Sequence, residues 1–429
     1  MLPLFGQLLH HRWLHIGMGV KRWLLLLMVG ITAISIGAVY FLHDLYRIWA
    51  SSPTGYYLTL QFLPRSVRGV LLGILGLALV FLAIYKLSRS LLAAFIRPGQ
   101  EDIAEVVYRY RRREHGPKVV AIGGGTGLSI LLRGLKAHTS NLTAVVTVAD
   151  DGGSSGDLRR ELGVLPPGDI RNCLGALADD EALITKLFQY RFNQGAGLDG
   201  HAFGNLFIVA MAGVTGDFER AVLESSRVLA VQGRILPSTL EQVVLSADLR
   251  EDTGQLGRVE GESQIPAARL PIERVFLEPY NARAYPGAIQ AILEADLICI
   301  GPGSLYTSVL PNLLVEDITN ALRAARAPRI YICNVATQLG ETEGYDLGDH
   351  LAALRFHGTA GCFTHVLAND NLTIPTPPDW PISLVPPVYS SETGYNIVTA
   401  DVIDLVNPWR HDPHKLAQAL MTIYEETSC

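Results

Sequence analysis

After Pro117, short apolar runs rich in β-branched residues alternate with stretches of helical periodicity. The first two runs, KVVAIGG and LTAVVTVAD, are joined by TGLSILLRGLKAH, whose apolar residues recur with the period of a helix. This alternation is typical of βαβ units, in which helices cover both faces of a mostly parallel sheet. ADLICIGPG, RIYICNV and FTHVLAND predict further buried strands, whereas QVVLSADL and IERVFLEP predict more exposed antiparallel ones. We therefore expect one α/β domain over residues 118–429, doubly wound and mostly parallel, with an inserted substructure around residues 230–280.

Two uncharged apolar stretches precede this domain. The first, from Trp23 to Leu42, has the length that a helix needs to cross about 30 Å of hydrocarbon. The second begins at Gly69 and reaches residue 88 if the side chain of Lys86 extends so that its ammonium group lies at the membrane interface. Residues 1–97 are therefore predicted to form a two-helix transmembrane hairpin with spans at 23–42 and 69–88, followed by a juxtamembrane linker helix at 98–117.

The distribution of charge predicts the orientation of this hairpin. Residues 1–117 carry 13 Lys and Arg against 5 Asp and Glu, and seven of the basic residues follow the second uncharged run, which ends at Tyr85. Basic flanks stay on the cytoplasmic side, so both termini and the large domain are expected in the cytoplasm. The protein would then be a multi-pass protein of the inner (cytoplasmic) membrane, with membrane lipid as a partner. A cleaved signal peptide is the alternative for the first span, and the presence of a second span argues against it.

The large domain is acidic, with 22 Lys and Arg against 36 Asp and Glu in residues 118–429. This charge excludes the basic surface that a nucleic-acid partner requires. The five cysteines are scattered and form no CxxC pair, so neither a disulfide framework nor a structural metal site is expected. The oligomeric state, a homo-oligomer included, stays open at this level.

The turn GGGTG stands where the first strand meets the first helix. Glycines there can adopt positive φ, so backbone N–H groups and the helix dipole can face an anion. The turn departs from the dinucleotide pattern GxGxxG, because Leu128 occupies the third glycine position, and no Lys follows as in a Walker A loop. A merely tight turn is the alternative to phosphate binding. The candidate phosphate-binding residues are Gly123, Gly124, Gly125, Thr126 and Gly127.

A second strand, turn and helix occur in ICIGPGSLYTSVLPNLL. Its turn offers N–H and hydroxyl donors without a fixed charge, which suits a pyrophosphate or a nucleoside. Two such turns on separate strands of one sheet predict a shared nucleotide cleft rather than a hydride-transfer site. The candidates in this passage are Gly301, Gly303, Ser304 and Thr307, and CNVATQLGETEGY adds Asn334 at the end of another strand.

The second strand ends in ADDGGSSGDLRRELG. Asp150 lies about 25 residues beyond the glycine turn, near the place where an acidic residue hydrogen-bonds a ribose in a mononucleotide fold. Adjacent strand residues point in opposite directions, so one of Asp150 and Asp151 is a candidate for a ribose or sugar hydroxyl and the other for a divalent cation, Mg²⁺ in particular. An Asx turn would explain one aspartate but not both. Gly153 and Ser154 belong to the same candidate loop.

PPGDIRN and GHAFGNL supply the remaining polar candidates. Asp169 can cap the helix that follows it. Arg171 in the first turn opposes the helix dipole and so indicates an anionic partner, either a phosphate or Asp169 itself. His201 and Asn205 lie on one face if a single helix covers both; phosphate binding, proton donation and a core or capping role all stay open for His201. Asn172 completes the set.

These motifs resemble those of the YvcK/CofD family, which joins bacterial gluconeogenesis factors to archaeal 2-phospho-L-lactate transferases. The likeness extends from residue 118 to about residue 350, through KVVAIGGGTGLSILLRGLK, TVADDGGSSGDLRRELGVLPPGDIRNCLGALA, HAFGNLFIVA, GRILPSTLEQVVLSADL, IGPGSLYTSVLPNLLV and NVATQLGETEGY. The residues of these motifs are similar to those of the YvcK branch, and the membrane hairpin is an amino-terminal addition.

The resemblance implies a Rossmann-like three-layer fold. In the transferase branch, phospholactate passes from a guanylyl donor to a deazaflavin alcohol with Mg²⁺, and the acidic residue matching DDGG contacts the acceptor. Proteins similar to YvcK are associated with UDP-sugars such as UDP-N-acetylglucosamine, and with cell shape and envelope synthesis during gluconeogenic growth. We therefore expect a membrane-tethered, nucleotide-sugar-binding regulator, with Mg²⁺-dependent phospholactate-type transfer from a nucleoside-diphosphate donor as the alternative. No catalytic residue is assigned, and the candidates for an enzyme are Asp150, Asp151 and Arg171.

Overall fold

The computed structural model describes residues 28–32, 34–35, 39, 62–93, 113, 115–178, 181–195, 197–251, 253–374, 382–390 and 394–428. Contacts divide the chain into two units, Met1–Arg112 and Arg113–Cys429. The second unit holds the α/β domain.

In the first unit, a helix runs over Arg65–Ala93 (α1). By length and composition alone, its segment Gly69–Lys86 can cross a membrane, and no other helix among the described residues passes this test. The predicted second span, 69–88, lies within this helix. Of the predicted first span only residues 28–32, 34–35 and 39 are described, as helix, and most of the predicted linker helix lies outside the described residues. The hairpin and its multi-pass topology therefore stay predictions.

The second unit is built on two sheets. The seven-stranded sheet has the order β10-β9-β8-β7-β1-β2-β3, and every neighbouring pair in it is parallel. The chain thus winds outward from its first strand in one direction and from its seventh in the other, as in a doubly wound fold. The strands are β1 (Val119–Gly123), β2 (Leu142–Val146), β3 (Arg234–Pro237), β4 (Val244–Arg250), β5 (Leu256–Glu260), β6 (Ile272–Glu278), β7 (Leu297–Ile300), β8 (Arg329–Ile332), β9 (His365–Asn369) and β10 (Asn396–Ala400).

Helices cover both faces of the seven-stranded sheet, because its strands bury side chains on both faces. In β1, Val120 and Ile122 face one core, whereas Val119 and Ala121 face the other. This arrangement confirms the expected three-layer α/β fold. The helices are α2 (Gly125–Leu135), α3 (Gly153–Leu162), α4 (Gly168–Leu177), α5 (Glu181–Gln189), α6 (Phe203–Thr215), α7 (Phe218–Val228), α8 (Gln264–Ala267), α9 (Pro286–Leu293), α10 (Leu310–Leu313, after a π-helical turn at Leu305–Val309), α11 (Glu316–Ala324), α12 (Leu347–Phe356) and α13 (Pro413–Ser428).

The smaller sheet is an insertion between β3 and β7. Its order is β5-β4-β6, and both pairs are antiparallel. Leu245, Ala247 and Leu249 alternate into the core that also receives Val120 of β1. The insertion therefore lies where the sequence predicts one, and its strands are antiparallel as expected from QVVLSADL and IERVFLEP. The expected exposure is wrong for β4, because Ser246 and Asp248 on its other face are buried as well. It positions the loop between β5 and α8, which reaches the candidate site.

Helix α13 packs against α2 at Gly134. A Cβ at this position would lie 1.9 Å from the carbonyl oxygen of Pro413. We expect Gly134→Ala to lower the free energy of unfolding by at least about 1–3 kcal/mol, the usual cost of overpacking. Gly213→Ala in α6 is the matched control, because nothing lies within 4 Å of its Cβ and alanine stabilises a helix by about 0.5–1 kcal/mol relative to glycine. Thermal unfolding compares the two, and equal midpoints would contradict this account of the α2–α13 contact.

Candidate functional site

The two glycine turns meet at the carboxyl ends of β1 and β7, which are neighbours in the sheet. The N–H of Gly301 donates to the carbonyl of Ile122 at 2.8 Å, so the pairing continues into the second turn. A Cβ at Gly127 would lie 2.4 Å from the carbonyl oxygen of Pro302. Only glycine therefore lets the turns approach this closely. In open α/β sheets, ligands bind at such a switch point.

A cavity of about 630 Å³, called the main cavity below, opens at these turns. Its volume lies within the roughly 300–1,000 Å³ of pockets that hold complete small-molecule ligands. Gly123 and Gly301 shape the turns without lining it. The predicted site residues that do line it are Gly124, Gly125, Thr126, Gly127, Asp150, Asp169, Gly303, Ser304, Thr307 and Asn334.

A second cavity of about 230 Å³ adjoins the main cavity, since Asp150 and Asp169 line both. We call it the arginine pocket, after the two arginines in its wall, Arg171 and Arg191. Asp151 and His201 line neither of these two cavities. The other predicted site residues in the wall of the arginine pocket are Gly153, Ser154, Asn172 and Asn205.

Four carboxyl groups line the main cavity, and the pKa of each is raised, that of Glu341 by burial. Asp169 does not cap α4 as predicted, because it lies inside the first turn and the helix start has no side-chain cap; it accepts the N–H of Gly125 instead. Burial, and after it the charge of Asp150, raises the pKa of Asp169 to about 7. Burial also raises the pKa of Asp150, although Asp150 accepts hydrogen bonds from the N–H of Gly152 at 2.9 Å and from the hydroxyl of Ser155. Burial, then the charges of Asp150 and Asp169, raises the pKa of Glu262 to about 8. Near neutral pH this cluster can both accept and donate hydrogen bonds.

Ser154 joins the start of α3 to the segment that enters α6. Its hydroxyl accepts hydrogen bonds from the N–H of Ala202 at 3.2 Å and from Nδ2 of Asn205 at 3.1 Å, which uses both lone pairs. The hydroxyl group is therefore left to donate its own proton to Nδ1 of His201 at 3.1 Å. Because α6 begins after His201, the helix does not cover both predicted residues. Asn205 lines the arginine pocket, whereas His201 supports the loop.

Asp151 holds the loop of the insertion in place. Its Oδ1 accepts the N–H of Ser263 at 2.9 Å. A Cβ at Gly261 would lie 2.3 Å from Oδ2 of Asp151, and Gly261 has a φ of 105°, which favours glycine. The loop fixed in this way carries Glu262 into the main cavity. The two adjacent aspartates thus differ in position, since Asp150 lines the cavities and Asp151 binds the loop.

Amide side chains join the second glycine turn to the loop after β8. Asn334 accepts the N–H of Gly303 through Oδ1 and donates from Nδ2 to Gln338, both at 3.3 Å. Gln338 in turn donates to the hydroxyl oxygen of Ser304 at 2.7 Å. These contacts fix the turn and leave the hydroxyl proton of Ser304 available to a ligand.

The carboxyl groups fit a metal ion only together with a ligand. Among the described residues, no group of three or more His, Cys, Asp or Glu side chains is arranged to hold a metal ion. Mg²⁺ in nucleotide sites, however, is commonly bound by one or two carboxylates plus phosphate oxygens and water. Asp150 and Asp169 could supply such carboxylates.

Comparison with known proteins identifies the family of this fold and site. The family model described as 2-phospho-L-lactate transferase CofD matches residues 119–377. A putative gluconeogenesis factor of Nostoc sp. strain PCC 7120 is 47% identical over 430 residues, covering 96% of this chain and 92% of the relative. The chain belongs to the CofD/YvcK family.

Two further proteins match a smaller part of the chain. The gluconeogenesis factor of Bacillus subtilis is 46% identical over 72% of this chain and 99% of the relative. A crystal structure of a protein from Bacillus halodurans has a TM-score of 0.66 and 43% identity, and covers 71% of this chain and 99% of that chain. The Nostoc match covers more of the chain than the α/β unit contains, so it extends into the amino-terminal part.

Among the cavity residues that sequence reasoning missed are three with ionisable side chains, Glu341, Glu262 and Arg191. Glu341, in the wall of the main cavity, accepts a hydrogen bond from Thr307 at 2.9 Å, and burial raises its pKa. The passage CNVATQLGETEGY contains Glu341, so the strand end itself was the signal. Glu262 lies in a turn, and Arg191 follows α5 and pairs with Ala202 in an isolated β-bridge. Neither belongs to a motif, and only the folded chain brings them to the cleft.

The raised pKa of Asp169 predicts a pH dependence of stability. A carboxyl group loses its proton near pH 4 in the unfolded chain, whereas folded Asp169 keeps it until about pH 7. The folded state thus binds more protons, and the free energy of unfolding falls as pH rises from about 4 to 7, by up to about 1.4 kcal/mol per pH unit. Asp169→Asn should flatten this slope. Thermal unfolding at pH 5, 6, 7 and 8 measures it, and identical slopes for both proteins would contradict the assignment.

Proposed function

We propose that this member of the CofD/YvcK family binds a nucleotide sugar, a UDP-sugar, in the main cavity and acts as a regulator. It would link central carbon metabolism during gluconeogenic growth to cell shape and envelope synthesis. The observation that carries the proposal is the meeting of two glycine turns around a cavity of about 630 Å³. Relatives named gluconeogenesis factor support the regulatory part. The hairpin predicted at residues 1–97 would tether the domain to the cytoplasmic face of the membrane, where envelope precursors are used.

The diphosphate would bind at the start of α2. This helix has no side-chain cap at Gly124, and the first N–H groups of a helix lack intrahelical acceptors. The N–H of Gly125 is bonded to Asp169, which leaves those of Thr126 and Gly127 for a ligand in the main cavity. The helix dipole also favours a negative charge there.

The carboxyl groups of the main cavity suit the hydroxyl groups of a sugar or ribose. A carboxylate accepts a hydrogen bond from a hydroxyl group, and a protonated carboxyl group donates one. With pKa values of about 7 and 8, Asp169 and Glu262 can take either form near neutral pH. Such a cluster favours a polyhydroxyl group over a further anion.

A charge reversal at Thr126 tests this ligand class. Thr126 is exposed in the first turn of α2, so Thr126→Glu should stabilise the helix through its dipole while repelling a diphosphate. We expect at least about a tenfold loss of affinity for UDP-sugars, or about 1.4 kcal/mol, in calorimetry on the purified full chain. Thr126→Gln, of the same size without the charge, should keep the affinity.

Two results would count against the proposal. If the wild-type chain shows no saturable binding of UDP-glucose or UDP-N-acetylglucosamine, the nucleotide-sugar function is wrong. If Thr126→Glu and Thr126→Gln weaken binding equally, the loss comes from side-chain size, and the electrostatic account of the first turn is wrong.

A Mg²⁺-dependent, phospholactate-type transferase that uses a nucleoside-diphosphate donor is the second candidate. It is favoured by the description of the matching family and by the position of Asp150 in the wall of both cavities. Transfer of this kind needs mainly positioning and neutralisation of charge, which Mg²⁺ supplies when bound. It predicts that the chain consumes the donor in a Mg²⁺-dependent reaction. Asp150→Asn should abolish this consumption, and Asp151→Asn should retain it. Donor left intact by the wild-type chain, measured by mass spectrometry, would contradict it.

A further inference from the structure

The second glycine turn uses several of its own hydrogen-bond donors within the protein. The N–H of Gly303 donates to Oδ1 of Asn334 at 3.3 Å, and the N–H of Ser308 donates to the carbonyl of Ser304 at 2.9 Å. The start of α2 differs, because two of its N–H groups are left for a ligand. A phosphate group carries three strong acceptor oxygens, and it needs donors that are still unused. The acceptors already present at the second turn therefore decide what it can bind.

Glu341 accepts three further hydrogen bonds from this turn. Its Oε2 accepts the N–H of Tyr306 at 3.2 Å, and its Oε1 accepts the hydroxyl group of Thr307 at 2.9 Å. The N–H of Thr307 also donates to this carboxyl group. A bound anion makes contacts of this kind at a glycine turn. The carboxyl group of Glu341 thus lies where a phosphate oxygen would otherwise accept.

The loop after β8 holds Glu341 in this position. Gly340 has a φ of 79°, and a Cβ there would lie 2.1 Å from the carbonyl oxygen of Pro266. The N–H of Glu341 donates to the carbonyl of Gln338 at 3.1 Å, and the side chain of Gln338 donates to Ser304 at 2.7 Å. The loop is therefore fixed against the insertion on one side and against the second turn on the other.

Glu341 lines the main cavity and keeps some capacity to accept hydrogen bonds. A carboxylate has about four lone-pair sites, and the turn uses three of them. Burial raises the pKa of Glu341, whereas these three hydrogen bonds favour its ionised form. A ligand hydroxyl group can donate to the remaining site, but a phosphate is repelled by it. The hydroxyl proton of Ser304 stays available to an acceptor, so an uncharged group with hydroxyl and acceptor oxygens satisfies both residues.

We propose that Glu341 is a specificity-determining residue, which excludes phosphate from the second glycine turn and leaves that side of the main cavity to an uncharged, hydroxyl-bearing group. The two turns touch at Gly127 and Pro302, so this group lies next to a diphosphate at the start of α2. The neighbour of the diphosphate is then a sugar or a nucleoside rather than a third phosphate. This inference deepens the proposed function and rests on it for the identity of the ligand. The occupation of the turn by Glu341 does not depend on it.

Calorimetry on the full chain in detergent at pH 8, without Mg²⁺ and with UDP-glucose and UTP as probes, tests the selection. We expect the wild-type chain to bind UDP-glucose at least tenfold tighter than UTP. Glu341→Gln removes the negative charge and adds an N–H donor, so it should lower this ratio at least tenfold. Glu343→Gln is the matched control, because Glu343 is exposed in the same loop, and it should keep the ratio.

Anion rescue of Glu341→Ala tests the occupation of the turn without any nucleotide. This variant leaves three donors without their acceptor, so its thermal midpoint should fall below those of the wild-type chain and Glu343→Ala. Acetate and inorganic phosphate should each raise the midpoint of Glu341→Ala more than the other two midpoints, relative to chloride at the same ionic strength. Circular dichroism checks the fold of each variant. Folding of Glu341→Ala only with acetate or phosphate also supports the inference, and if it never folds, Glu341→Gln decides.

The outcomes separate this inference from the proposed function. If the wild-type chain binds neither UDP-glucose nor UTP, the proposed function is wrong, and the anion rescue alone decides whether Glu341 occupies the turn. Three results overturn the inference: UTP binding as tight as UDP-glucose binding in the wild-type chain, an unchanged ratio in Glu341→Gln, or equal effects of the anions on all three proteins. Rescue by acetate but not by phosphate overturns the exclusion by Glu341, because the vacated turn then does not fit a phosphate.

Discussion

The close approach of two backbones at the switch point of the sheet determines the shape of the site. Gly127 lies against the carbonyl of Pro302, at a distance that leaves no room for a Cβ. This contact needs β1 and β7 to be neighbours, although more than 170 residues separate them in the chain. It brings the start of α2 and the second glycine turn to one cavity. Every later element of the cleft is positioned relative to this contact.

Around this contact, opposite charges are distributed over two adjoining spaces. The main cavity has backbone donors at one helix start and four carboxyl groups with raised pKa values. The arginine pocket has two guanidinium groups and a second helix start. Asp150 and Asp169 belong to the walls of both cavities, so protonation of either carboxyl group changes the charge in both. A ligand that places its phosphates at the start of α2 and hydroxyl groups at the carboxyl groups would satisfy the main cavity.

Much of the fold follows from local pattern. Fully buried parallel strands such as β1 and β7 read as continuous apolar runs, and the alternation in β4 and β6 indicates the antiparallel insertion. The strand β10 lacks such a pattern, because it is a half-exposed edge strand. Its only local signal is the β-branched run of Ile397, Val398 and Thr399, which the prediction missed.

The candidate site divides in the same way. The glycine turns and Asp150 follow from residue type at the ends of predicted strands. The role of Asp151 does not, because its partner Ser263 is 112 residues away in an insertion whose docking only the tertiary structure fixes. Glu262 and Arg191 are missed for the same reason. Short-range motifs predict which loops form a site, whereas long-range contacts decide which side chains of those loops face it.

Hydrogen-exchange mass spectrometry of the full chain with a saturating UDP-sugar tests the central claim most directly. The claim is that the ligand lies between the two glycine turns at the ends of β1 and β7. It predicts slower amide exchange in residues 124–128 and 303–309, with little change in the outer strands of the sheet. Unchanged exchange in both turns, with protection elsewhere in the chain, would contradict it.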